Sequence, residues 1–289
     1  MAEQQKMPIG VFTSIGEGLG AGLDGVRQLG VPTVHVHAPP LAMRTPEHAA
    51  QVRRQFDEAG IAITLVFCGF PGESYASIAE TQRTVGLVPR DNRQERIGQT
   101  RQIIDFAAAL ETPGVGIHMG FLPEDASSPD FAELVEVTAG LCDYCAQRGL
   151  VMNLETGQES ADGLLAFFEA VDRPNLGINF DPANMILYGS GEPIEALRKV
   201  GRHVKSVHAK DALWSDRPGE TFGTEVPLGE GKVGMEAYLK TLDEFGYTGP
   251  LTIEREIQVK AEADAQRQLD DIRKAIDLLE GLKKKLGIA

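Results

Sequence analysis

The feature that most limits what this chain can fold into is an alternation of short apolar runs with longer amphipathic segments, repeated eight times. The runs fall at about residues 8–12, 31–37, 61–67, 114–119, 151–155, 176–181, 204–208 and 251–254. Helical periodicity covers about 20–29, 45–59, 93–110, 161–171, 192–200 and 234–246, with a further segment opening at Ser128-Pro129. There Ser128 caps a helix whose apolar face carries Phe131, Leu134, Val135, Thr138, Cys142 and Cys145, and Gly149 lets the chain leave it. Short strands alternating with helices are βα units, and eight of them in about 250 residues make a (β/α)8 TIM barrel of the α/β class. A last segment, 261–286, carries Leu269, Ile272, Ile276, Leu279 and Leu282 on one face. It reads as an additional C-terminal helix that packs on the barrel exterior or serves a homo-oligomer contact. The expectation is one barrel domain over residues 1–289.

Composition narrows the partners. With 42 acidic against 28 basic residues the formal charge is -14, a field that repels a nucleic-acid backbone and suits a small molecule better than a polyanion. No apolar stretch is long enough to span a membrane, and MAEQQKMPIGVF lacks a leader-like run, so a cytoplasmic location is expected. The 3 cysteines make no disulfide framework, and Cys142 and Cys145 lie on the apolar side of a helix as buried residues. The glycine-rich stretches GFPGE (69–73) and GEGKVG (229–234) form no nucleotide fingerprint. Two connections, Cys68 to Asn92 and Ala212 to Lys232, exceed the usual barrel loop. Both leave the carboxyl ends of strands and are read as walls or lids over one mouth.

At that mouth the strands end in metal-capable residues. VMNLE ends at Glu155, LGINFD at Asp181, VKSVH at His208 and LTIE at Glu254. Strand parity puts Asn153 with Glu155, Asn179 with Asp181, Ser206 with His208 and Lys210, and Thr252 with Glu254 and Glu256. The same parity joins His35 to His37 and Gly116 to His118. Three carboxylates gathered on an inward face are costly unless a cation offsets them. Three oxygen donors and one imidazole nitrogen suit one divalent ion, Mn²⁺ before Co²⁺, Mg²⁺ or Zn²⁺.

These pieces, NLETG, NFDPAN, VHAKD, PLGEG and TIERE, resemble the xylose-isomerase-like barrel superfamily, particularly its sugar-phosphate isomerase/epimerase and ketose or inosose epimerase relatives. The likeness runs over nearly the whole chain, and the Glu, Asp, His, Glu order matches the family's metal quartet. It implies that Glu155, Asp181, His208 and Glu254 hold the metal. Glu155 and Glu254 would then be the acid/base pair, acting on opposite faces of the carbon whose proton is exchanged. The cation would polarise the neighbouring carbonyl and stabilise an enediolate. The implied activity is isomerisation or epimerisation of a keto-sugar or cyclic polyol. A keto-polyol dehydratase or lyase with the same metal site, or a sugar- or metal-binding protein without turnover, is the alternative.

The chain departs from the family pattern in two places. Asn184 stands where many relatives have histidine three residues after the aspartate, and Lys210-Asp211 follow His208 without the usual arginine. Lys210 contacts a substrate oxygen or acts as an acid, or else pairs with Asp211 or a neighbouring carboxylate. His118, Asn184 and His37 are further substrate-contact candidates. Trp214 either covers a sugar face or anchors its loop. An apurinic-site endonuclease would need additional histidines, which are missing after Asp181 and from 212–232.

Overall fold

The computed structural model describes residues 6–15 and 20–288; Met1–Gln5, the start of the N-terminal stretch expected to carry no leader-like run, lie outside the described residues. The first half of the chain comprises β1 (Ile9–Ser14), α1 (Gly22–Leu29), β2 (Thr33–His37), α2 (Pro46–Glu58) and β3 (Ala62–Phe67). It continues through α3 (Ile78–Thr84), α4 (Arg90–Ala109), β4 (Gly114–Ile117) and α5 (Pro129–Ala146). The second half comprises β5 (Val151–Glu155), α6 (Ala161–Val171), β6 (Leu176–Phe180), α7 (Pro182–Tyr188), α8 (Pro193–Val200) and β7 (Val204–Ala209). A hairpin of β8 (Asp211–Leu213) and β9 (Thr224–Val226) follows, then α9 (Met235–Glu244), β10 (Leu251–Ile253) and α10 (Glu262–Leu286). Eight parallel strands close in the order β1-β10-β7-β6-β5-β4-β3-β2, so the expected (β/α)8 barrel with its C-terminal helix is the fold.

Local chemistry sets the helix starts. Thr45, Ser77, Ser128 and Ser160 each accept a hydrogen bond from a backbone N–H of the first turn, and Pro46 and Pro129 occupy first-turn positions where no N–H is needed. The main apolar core lies between strands and helices, with Cys142 and Cys145 fully buried in it. A separate cluster of Phe12, Leu65 and Phe67 fills part of the barrel interior. Beside it a Cβ on Gly10 would sit 2.5 Å from Thr33 Oγ1 and 3.1 Å from the Thr33 carbonyl oxygen, so a side chain at this strand position would force the neighbouring strand to give way. α10 packs against α1, α9 and β10 on the barrel exterior. No helix among the described residues is long and apolar enough to cross a membrane.

Three elements depart from the expectation. The 68–92 connection contains α3, and the segment after β6 forms α7, both of seven residues. Two turns are too short for apolar periodicity to stand out. The 212–232 connection is an antiparallel hairpin, with Asp211 opposite Val226 and Leu213 opposite Thr224. Asp211 does not pair with Lys210. Its carboxylate accepts from the backbone N–H groups of Ala212, Gly229, Gly231 and Val233, which folds PLGEG back under the hairpin.

The 68–92 connection is tied to the barrel as a wall. Glu73 accepts from the N–H groups of Phe70 and Gly86 at 2.9 and 2.8 Å. Arg96 donates to the Gly86 carbonyl at 2.7 Å while its guanidinium lies 5.3 Å from the Phe70 ring centroid. The N–H groups of Leu87 and Val88 both donate to Met119 O. Gly86 makes this crossing with φ +76°, and a Cβ there would meet the Met119 carbonyl at 2.2 Å. Gly86→Ala therefore combines left-handed strain with a backbone clash. It is expected to cost about 2–4 kcal/mol, read as a lowered urea midpoint at unchanged m-value.

Candidate active site

The four strand-end residues converge. Glu155 ends β5, Asp181 follows β6, His208 lies in β7 and Glu254 follows β10, and one ligand atom from each lies within 4.8 Å of all the others. His208 Nδ1 is 2.8 Å from Glu155 Oε1, 3.2 Å from Glu254 Oε2 and 3.7 Å from Asp181 Oδ2. None of these approaches has hydrogen-bond alignment, and Nδ1 and Asp181 Oδ2 are both buried without a hydrogen-bond partner, Oδ2 having only Lys210 Nζ at 3.9 Å as a further charged neighbour. Two orphaned buried ligand atoms facing the same point among carboxylates are what a bound cation satisfies, so this donor set fits a divalent metal.

Each ligand is held from behind. Asp181 divides its carboxylate: Oδ1 caps α7 by accepting from the N–H groups of Ala183 and Asn184 at 2.8 and 3.0 Å, which leaves Oδ2 for the site. Glu155 is spanned by two imidazoles, with His118 Nε2 3.0 Å from its Oε2 and His208 on the other side. Burial alone would raise the Glu155 pKa; the two histidines outweigh it and hold the carboxyl well below its ordinary range. Burial likewise pulls against protonation of His118, but Glu155 pushes it up to about 9. The carboxylates of Glu254 and Glu155 also keep His208 well above its ordinary value in spite of burial.

Glu254 is paired with Lys210, whose Nζ is 3.1 Å from Glu254 Oε2, also contacts the Glu256 carboxylate, and lies 3.4 Å from Asn184 Oδ1. Burial opposes the charge on Lys210, and Glu254 and Glu256 restore it, raising its pKa well above the usual lysine value. Outside this pair, Arg255 bonds Glu225 Oε1 at 2.7 Å and Asp271 Oδ2 at 3.0 Å, joining β9, the end of β10 and α10.

A cavity of about 720 Å³ opens above the quartet. Glu155, Glu254, His118, His37 and Asn184 line it, whereas Asp181 and His208, both 0% exposed, lie beneath. Lys210 is also beneath the surface, bracing Glu254 from behind. His37 donates Nδ1–H to Ala38 O at 3.1 Å, and burial keeps its pKa low. Trp214, half-buried beside the hairpin, packs on the main core and does not line the cavity. Burying so large a ring removes more apolar area from water than standing it in an open mouth.

The aromatic wall comes instead from Tyr75, Tyr188 and Phe222, and Glu73, Glu225 and Glu256 complete the polar lining. Glu256 shares strand parity with Glu254, and Tyr188 lies one helical turn beyond Asn184, two signals present in the sequence. Tyr75 and Phe222 sit in irregular segments, where no periodicity marks the inner face. A saturating divalent ion at about 100 times its Kd adds about 2.7 kcal/mol, and Mn²⁺ is accordingly expected to raise Tm by about 5 °C. Asp181→Asn, which keeps the Oδ1 cap but removes the charge, should lose most of that shift in a thermal melt.

A family model described as xylose isomerase-like TIM barrel matches residues 22–285. A solved xylose isomerase domain protein from Planctomyces limnophilus is 56% identical, with a TM-score of 0.94 and 98% of this chain and 100% of that chain covered. An uncharacterized protein of Methanocaldococcus jannaschii is 28% identical over 169 residues, 53% of this chain and 54% of that protein. An L-ribulose 3-epimerase of a Methylomonas species is 29% identical over 147 residues, 47% of this chain and 46% of that protein. The chain spans about half the length of these two curated relatives. By its matched length, its barrel and its kinship to the Planctomyces protein, this chain belongs to the xylose isomerase-like TIM barrel family.

Proposed function

We propose that the protein is a divalent-metal-dependent epimerase or isomerase that exchanges a proton at the carbon beside the carbonyl of a keto-sugar or cyclic polyol ketone. The observation that carries this reading is the division of the quartet: only the two glutamates line the cavity, and the aspartate and histidine are sealed below it. A group that must touch a substrate C–H has to be at the surface of the cavity, and a group that only holds an ion does not. The epimerase among the curated relatives agrees with this reading.

The ion, when bound between Glu155, Asp181, His208 and Glu254, supplies Lewis-acid polarisation of the substrate carbonyl. Glu155 and Glu254 approach the reacting carbon from different strands. One enters the turnover ionised and takes the proton; the other enters it protonated from solvent and returns one, so the pair exchange protonation states. The pairing of Glu155 with His118 keeps it ionised, as a base requires. Lys210 holds Glu254 against the pocket. Asn184 and His37 offer hydrogen-bonding groups to hydroxyls, and Tyr75, Tyr188 and Phe222 present apolar faces to the C–H side of a polyol.

The test is to incubate Mn²⁺-loaded protein with a panel of keto-sugars and inososes in deuterated water. Exchange beside the carbonyl establishes the reaction class, and the product separates epimerisation from isomerisation or loss of water. Glu155→Gln and Glu254→Gln should each lower the exchange rate about 10²–10⁴-fold, with the protein still folded. Exchange at the unaltered rate in both variants, or none across the panel with the native protein, overturns the proposal.

A further inference from the structure

We propose that His35 is a positioning residue that sets the tautomer of His208, holding the ring proton on Nε2 so that Nδ1 presents its lone pair to the metal. The inference rests on the metal-site reading above. His35, on β2, reaches across the barrel interior to β7 and places its Nδ1 3.1 Å from His208 Nε2. Both rings are buried, His35 at 1% and His208 at 0% exposure. The opposite nitrogen of His208, Nδ1, is the atom that faces Glu155, Asp181 and Glu254.

Proton counting then fixes the pair. A nitrogen that ligates a cation carries no proton, so a neutral His208 must be protonated at Nε2 and donate to His35 Nδ1. His35 Nδ1 is therefore the acceptor, and its own ring proton is on Nε2. The reverse arrangement, with His35 donating, would put the His208 proton on Nδ1, between the carboxylates, and block ligation. Packing holds the alignment, with the rings of Phe12 and Phe67 5.5 and 5.0 Å from that of His208 and Phe67 5.9 Å from that of His35.

A carboxylate is a common acceptor behind a metal-bound histidine. In this interior a carboxylate would add a fourth negative charge to the three already converging. A neutral imidazole accepts the same hydrogen bond without that cost. His35 is in this sense a substitute for a carboxylate, chosen by the charge already present.

The test combines metal affinity with a direct view of the ring. Kd for Mn²⁺ and Zn²⁺ is measured by calorimetry on the full chain and on His35→Leu and His35→Asn, with metal-free Tm as the folding control. His35→Leu should weaken binding about 10–100-fold. His35→Asn, which returns an acceptor near the place of Nδ1, should recover most of it. In ¹⁵N-histidine-labelled, Zn²⁺-loaded native protein, His208 should show a protonated Nε2 and a metal-bound Nδ1, a result independent of whether either variant folds. Native affinity in His35→Leu, or ligation through Nε2, overturns the role of His35 and leaves the metal site standing. No ion binding by the native protein overturns the metal site and this inference with it.

Discussion

Three carboxylates pointed at one another inside a closed barrel are the constraint around which the rest of this structure is arranged. Such a group is stable only if each charge is met nearby, because burial removes the water that would otherwise solvate it. The chain meets part of the charge with His118 against Glu155 and Lys210 against Glu254. These two counterions lie behind or beside the glutamates and leave the space between the four candidate ligand atoms open to a cation.

Much of this was legible in the sequence because barrel geometry converts order into position. Strand parity alone puts Glu155, Asp181, His208 and Glu254 on the inner face, and placement at strand ends brings them to one mouth. Parity also joined His35 to that face, though not its partner, since a contact across the barrel from β2 to β7 has no sequence spacing. The misses have a common cause. α3, α7 and the β8–β9 hairpin are too short to show a period, and side chains from irregular segments such as Tyr75 and Phe222 reach the cavity through tertiary placement. Trp214 illustrates the converse: position in a mouth loop did not decide which way a large ring would face.

The support of the site extends well beyond its lining. Arg255 follows a proposed ligand directly in sequence, yet its side chain turns outward to Glu225 and to Asp271 of α10. The C-terminal helix thereby bears on the end of β10 as well as covering the barrel. The hairpin is fastened from its other end by the Asp211 carboxylate, which gathers four backbone N–H groups. Both devices use charged groups where a loop would otherwise be free to shift the adjacent ligand.

Asp181 gives one carboxylate two duties, with Oδ1 starting the helix that carries Asn184 and Tyr188 and Oδ2 facing the candidate metal position. On that side of the barrel, the aim of a quartet carboxylate and the shape of the cavity are coupled, since a change that re-aims α7 also re-aims Asp181. The 68–92 wall has no such bond to the quartet and is anchored through Glu73, Gly86 and Arg96. The cavity therefore has a free side and a bound one: the wall after β3 is fastened independently of the quartet, while the helix after β6 starts from one of its carboxylates.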